Sequence, residues 1–138
     1  MSRTLEQLRA SYAMHFVTDY GGDQSKLATH IQKTPIRILQ NGLGQALAFL
    51  LSDNEGKRGE QRKPSGHLYD QLQGWLCGPD IPGRPCRVYN SQECNLMKQL
   101  VEGERASYLQ AQEEAIRLFI WLKKFADAYL DKEVKNGG

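Results

Sequence analysis

At 138 residues the chain is long enough for one domain with a sizeable core and too short for two comfortable ones. Hydrophobic residues make up 40% and charged residues 25%, with mean hydropathy −0.59, which excludes a disordered tail protein; the longest unbroken apolar run, Ala46 to Leu51, excludes a membrane span of roughly 20 residues. Eighteen Lys and Arg against 16 Asp and Glu leave a net charge of +2 and an isoelectric point near 8.4, too mild to argue for nucleic-acid binding by itself.

From Met1 the sequence passes straight into an amphipathic pattern with no apolar signal segment, so a cytosolic, cytoplasmic protein is expected. Residues 3–20 repeat apolar groups at Leu5, Leu8, Tyr12 and Phe16, widened by Ala13, Val17 and Tyr20. That spacing predicts a helix with one buried face, stopped by Gly21-Gly22. Gln24 to Lys33 carries Leu27, Ala28 and Ile31 and reads as a second helix. Pro35 suits the first turn of a third, running to about Ser52 with Ile36, Leu39, Leu43, Leu47 and Leu50 on its apolar face.

Asp53 to Lys63 contains two glycines and otherwise only polar or charged residues, which predicts a solvated loop. Pro64-Ser65 opens a helix with Leu68, Leu72, Trp75 and Leu76 on one side. Gly78 to Pro85 is a stiffer loop, because its three prolines fix φ and remove donors. Asn90 or Ser91 is the expected N-cap of a fifth helix using Leu96, Met97, Leu100 and Val101. The last helix is the longest, from Glu104 to about Glu133. Ala111, Ala115, Leu118, Leu122, Phe125 and Tyr129 follow a helical period, and Leu118 to Leu122 is apolar nearly all round. The tail 134–138 is expected to fray. With no alternating β-branched run and no internal repeat, the expectation is all-α: a single compact, bundle-like domain of five to six helices with a long C-terminal helix.

Cys77, Cys86 and Cys94 are odd in number, and no CxxC pair exists. His67 followed by Cys77 and Cys86 matches no familiar zinc spacing, so reduced, structural cysteines are expected, with no metal and no cofactor.

Enzymatic signals are weak. No GxxxxGK[ST], HExxH or GxSxG motif occurs. His15 with Asp19, and His67 with Asp70, lie about one helical turn apart and are spaced to hydrogen bond on their helix faces, but neither pair has a nucleophile or metal ligand beside it. Glu113 and Glu114 are adjacent and point about 100° apart, a poor arrangement for an acid–base pair. The chain reads as non-catalytic.

Gly42 and Gly44 need a reason, since each costs about 1 kcal/mol relative to Ala inside a helix. On a continuous helix Gly42 shares a stripe with Ile38 and Phe49, suited to close approach of another helix. Gly44 falls with Arg37, Asn41, Gln45, Ala48 and Ser52 on a polar, shallow side suited to a partner's backbone or a nucleic acid; Asn41, Gly44 and Gln45 are its candidate partner-facing residues. Basic residues are skewed toward the N-terminal half: nine Lys and Arg against six Asp and Glu in residues 1–69, nine against ten thereafter. Between residues 33 and 63 six basic residues face three acidic ones. Lys33, Arg37, Arg58, Arg62, Lys63, Lys123 and Lys124 are the candidate contacts to a nucleic-acid backbone, which the family resemblance below makes RNA. Arg37 stands first among them because of its place near the positive end of the third expected helix.

The ordered segments Pro35-Ile36-x-Ile38-x-x-Asn41-Gly42-Leu43-Gly44-Gln45-x-Leu47-Ala48-Phe49-Leu50, Tyr69-x-x-Leu72-x-x-Trp75-Leu76 and Trp121-Leu122-Lys123-Lys124-Phe125-Ala126 resemble the small subunit of the Cmr complex, the type III-B CRISPR–Cas effector. The likeness covers about Leu5 to Leu130 and lapses in the two loops. What it implies is a non-catalytic helical subunit in antiviral defence, stacking with neighbouring copies of itself into a filament. That filament would lie beside the crRNA-bearing Cmr backbone subunits and the large polymerase-like Cmr subunit, helping to hold target RNA along the crRNA. No catalytic residues are carried over. The alternative is a helical adaptor or scaffold that binds only protein.

Overall fold

The structure is a computed structural model that describes residues 3–79, 87–91 and 93–131. Among these it contains six α-helices: α1 (Leu5–Asp19), α2 (Gln24–Asn41), α3 (Leu43–Asn54), α4 (Pro64–Leu76), α5 (Leu96–Glu102) and α6 (Arg105–Tyr129). A single 3₁₀ turn, Gly59–Gln61, interrupts the loop before α4, and no strand longer than the isolated bridge between Cys77 and Tyr89 occurs in the described residues. The all-α expectation holds. The frayed tail and Cys86 lie outside the described residues.

Local chemistry sets several helix starts. Thr4 forms a capping box with Gln7, its hydroxyl accepting from the Gln7 amide at 3.1 Å while the Gln7 side chain accepts from the Thr4 amide at 2.8 Å. Asp23 caps α2 by accepting from the Lys26 amide at 3.1 Å. Asn95, rather than Asn90 or Ser91, caps α5 through the Lys98 amide at 3.2 Å; the expected cap was displaced because the chain spends residues 87–91 returning alongside the end of α4.

The third expected helix is two helices. Gly42 takes φ +89°, a conformation L side chains rarely adopt, and ends α2 before α3 begins. Pro35 therefore lies inside α2, not at a helix start, and the two predicted segments 24–33 and 35–52 are re-divided as 24–41 and 43–54. The break changes the register of the apolar face. Leu27, Ile31 and Ile38 are buried on α2, and Leu43, Leu47 and Leu50 on α3, but Ile36 and Leu39 are 53% and 74% exposed. Val101 on α5 and Ile120 on α6, also expected to be covered, are 69% and 52% exposed.

The first turn of α3 has no local cap; its orphan amides are satisfied from α6. The Leu43 amide donates to Gln112 Oε1 at 2.9 Å and the Gly44 amide to Tyr108 Oη at 2.8 Å. Farther along, Gln32 Nε2 donates to Asp127 Oδ1 and the Asp131 amide to Gln24 Oε1, each at 2.9 Å, so α2 and α6 run in opposite directions. The helices close on a core of Leu27, Ile31, Leu47, Leu50, Leu68, Leu72, Trp75, Leu118, Phe119 and Leu122.

A buried ion pair ties α1 to α6 at the edge of this core. Arg9 donates from Nε and Nη2 to both Glu114 oxygens at 2.6 and 2.7 Å, and Trp75 Nε1 on α4 donates to Glu114 at 3.0 Å. Glu113, next in sequence, points outward to Arg117. Cys77 and Cys94 are joined as a disulfide with Cα atoms 5.6 Å apart, which corrects the expectation of reduced cysteines. The chain reversal that places Tyr89 against Cys77, with Arg87 donating to the Cys77 carbonyl, also brings Cys94 back to the end of α4.

Candidate nucleic-acid interface

The basic residues singled out in the sequence fall on three elements around α2. Lys33 is exposed on α2, and Arg37, one turn on, is half-buried. The Arg37 guanidinium lies over the ring of Phe49 on α3, 3.8 Å from its centroid. Its Nη1 is buried without a hydrogen-bond partner. Among the described residues no carboxylate comes within ion-pair distance of Arg37 or Lys33. The pair is therefore an unneutralised cationic spot beside a ring that is 41% exposed.

His30 completes this corner. Its Nε2 sits 3.3 Å from Asp53 Oδ2 on α3, and its Nδ1 is buried without a partner. Burial lowers its pKa first and foremost; Asp53 pulls the other way, and the charges of Arg37 and Lys33 add to the lowering.

The loop between α3 and α4 is built rather than loose. Asn54, itself buried, donates to the Lys57 carbonyl at 3.0 Å and accepts from the Lys63 amide at 2.9 Å, closing the loop upon itself. Two of its predicted RNA contacts are engaged internally: Arg62 forms a two-pronged bond with Asp70 at 2.7 Å and donates to the Lys57 carbonyl, and Lys63 Nζ is 3.0 Å from Glu55. Arg58 is exposed.

Lys123 and Lys124 lie on α6. Lys124 is exposed, 5.9 Å over the Trp121 ring, and Trp121, Phe125 and Tyr129 form a row of stacked rings along the helix with centroids 5.7 and 6.0 Å apart. Asn41 and Gln45 are exposed near the α2–α3 junction. Gly44 is not on an open polar side: a Cβ there would meet Tyr108 Oη at 3.2 Å, so the closeness it permits is to α6 of the same chain.

Sequence reasoning missed Phe49, which it assigned to a buried stripe with Ile38, and His30. Both follow from the break at Gly42, since Phe49 comes over Arg37 only when α3 folds back along α2. The His-Asp spacings also resolved differently. Asp70 is held by Arg62, and His67 by the Tyr20 hydroxyl at 3.1 Å.

No group of three or more His, Cys, Asp or Glu side chains that could hold a metal ion occurs among the described residues, and no described helix is long and apolar enough to cross a membrane.

Two comparisons with known proteins bear on this arrangement. A family model described as CRISPR-associated protein (Cas_Cmr5) matches residues 5–129. Among solved structures, the chain is similar to the X-ray crystal structure of a CRISPR-associated Cmr5 family protein from Thermus thermophilus, at 27% sequence identity and a TM-score of 0.66, covering 94% of this chain and 100% of that one.

Proposed function

Because the chain belongs to the Cmr5 family of CRISPR-associated proteins, it is a small helical subunit of a Cmr complex, and we propose that it serves there as a non-catalytic filament subunit that helps hold target RNA along the crRNA of a type III-B effector. The observation that carries the RNA role is Arg37: a half-buried guanidinium with no carboxylate partner among the described residues, laid on an exposed aromatic ring and one turn from Lys33. A cation of that kind attracts phosphate, and a ring beside it gives an unpaired base a surface to stack on.

Contacts to phosphate read charge and not sequence, so binding falls as salt rises. The modest net charge suits a repeating subunit. Each copy needs only a few contacts, neighbouring copies multiply them, and a strongly basic chain would repel its own neighbours. In this reading the partners are the Cmr backbone subunits, the large polymerase-like subunit, other copies of this chain, and the crRNA and target RNA; the setting is the cytoplasm.

The test replaces Lys33 and Arg37 with Ala, separately and together, and measures target RNA binding by the assembled complex at two salt concentrations. Weaker binding with a shallower salt dependence supports the reading. Unchanged affinity and slope with intact assembly removes it.

One observation favours a protein-only adaptor instead. Ile36 and Leu39 present bare apolar surface on the same helix, where a phosphate contact has no use for it. In that case both substitutions leave RNA binding alone, and Leu39→Asp alone disrupts assembly.

A further inference from the structure

The two His-Asp spacings that the RNA reading leaves unused meet across a single groove. His15 and Asp19 come from the C-terminal half of α1, His67 and Asp70 from the start of α4, and the space between them is about 680 Å³. Tyr12, Phe16 and Tyr20 form its aromatic wall. Tyr20 stands edge-on to Phe16 and to the His67 ring, with centroids 5.7 and 5.5 Å away. Burial, helped by the charge of Asp23, pushes the Tyr20 phenol up to about 12, and its hydroxyl lies 3.1 Å from His67 Nδ1.

The charge of this groove is negative where a cation is missing. Asp70 is already neutralised by Arg62. Asp19 has no cationic partner among the described residues. It is also the last residue of α1, where the carbonyl end of the helix repels a carboxylate, and no basic residue occupies that turn. For folding alone, Asp19 is a poor choice. At the mouth, Gly22 lets the backbone approach the Tyr20 ring, which a Cβ there would run into, and the space around Gly21 is open.

A carboxylate, the carbonyl end of a helix and a wall of rings together suit a flat cation that hydrogen bonds at its edge and stacks on its face. Phosphate is repelled by the same features. We propose that this groove is a socket for an arginine side chain presented by a neighbouring protein subunit. The inference stands apart from the RNA reading, since it uses neither Lys33 nor Arg37.

The test has two arms. In the first, the ¹⁵N-labelled full chain is titrated with a short peptide bearing arginine, with the same peptide bearing uncharged citrulline, and with oligouridylate. Amide shifts confined to the end of α1 and the start of α4, seen with arginine only and weakened at least about tenfold by Asp19→Asn, support the socket. Equal shifts with citrulline, shifts with oligouridylate, no shifts, or no effect of Asp19→Asn overturn it. In the second, Asp19→Lys is mixed with the other subunits during reconstitution. Loss from the complex with an unchanged melting temperature supports the socket, and full retention overturns it.

Discussion

Arg9 and Glu114, 105 residues apart in sequence, meet in a two-pronged bond within the interior, with the arginine side chain 4% and the glutamate side chain 10% exposed. Their burial is tolerable because each satisfies the other, Glu6 accepts from Arg9 Nη1 at 2.8 Å and Trp75 donates to Glu114.

Breaking that pair from one side takes from the other buried charge its two-pronged partner. Glu114→Gln or Arg9→Met is expected to lose roughly 3–5 kcal/mol, and Arg9→Met combined with Glu114→Leu less than the sum of the single changes. Urea denaturation of the three variants measures this. Additive losses would show that the two residues act independently.

At the α2–α3 junction, Gly42→Ala is expected to cost about 1–3 kcal/mol, because φ is +89° there and a Cβ would also crowd Tyr108 Oη at 2.9 Å. Gly44→Ala should cost less, since its backbone is helical and the nearest group is the movable Tyr108 hydroxyl. Thermal melts that rank the two in the opposite order would mean the junction is not at Gly42.

These elements mark how far the sequence could be read. Helical periodicity gave α1, α4 and most of α6, because each buries one continuous stripe that local spacing reveals. It could not show that Asn41-Gly42-Leu43 is a corner: the helical pattern runs on through it, and the acceptors that hold the first turn of α3 are Gln112 and Tyr108, more than 60 positions away. The same corner decides the interface. Lys33 and Arg37 were visible as charge, but Phe49 beneath the guanidinium depended on α3 turning back.

His30 gives the fold a sensitivity to acid. Its pKa in the folded chain lies below the ordinary 6.5, so above about pH 7 neither state carries the proton and nothing is lost. As pH falls through 6.5 the unfolded chain takes up a proton that the folded chain resists, and stability declines until the folded group is protonated as well. His30→Gln should flatten this part of the curve. Stability measured from about pH 7 to about pH 5 tests it, and an unchanged slope would place the acid sensitivity elsewhere.

The link between Cys77 and Cys94 closes a segment across a separation of 17 residues. Removing it by Cys77→Ser with Cys94→Ser, or by reductant, is expected to lower stability by about 3 kcal/mol. Treating the double variant with reductant should then change nothing further. A wild-type melting temperature indifferent to reductant would mean the bond does not form in solution.

The borrowed cap of α3 has a consequence for the order in which the chain becomes a protein. The donors of Leu43 and Gly44 wait for acceptors on Gln112 and Tyr108, which a ribosome adds some 65 residues later. Until then the first turn of α3 is exposed to water and the corner at Gly42 is not fixed, so the N-terminal half is not a unit that matures ahead of the rest. Emerging chains should remain sensitive to protease near residue 42 until α6 has left the exit tunnel. A fragment ending before residue 105 should not acquire a stable α2–α3 hairpin, so the Arg37–Phe49 surface comes into being only as synthesis finishes.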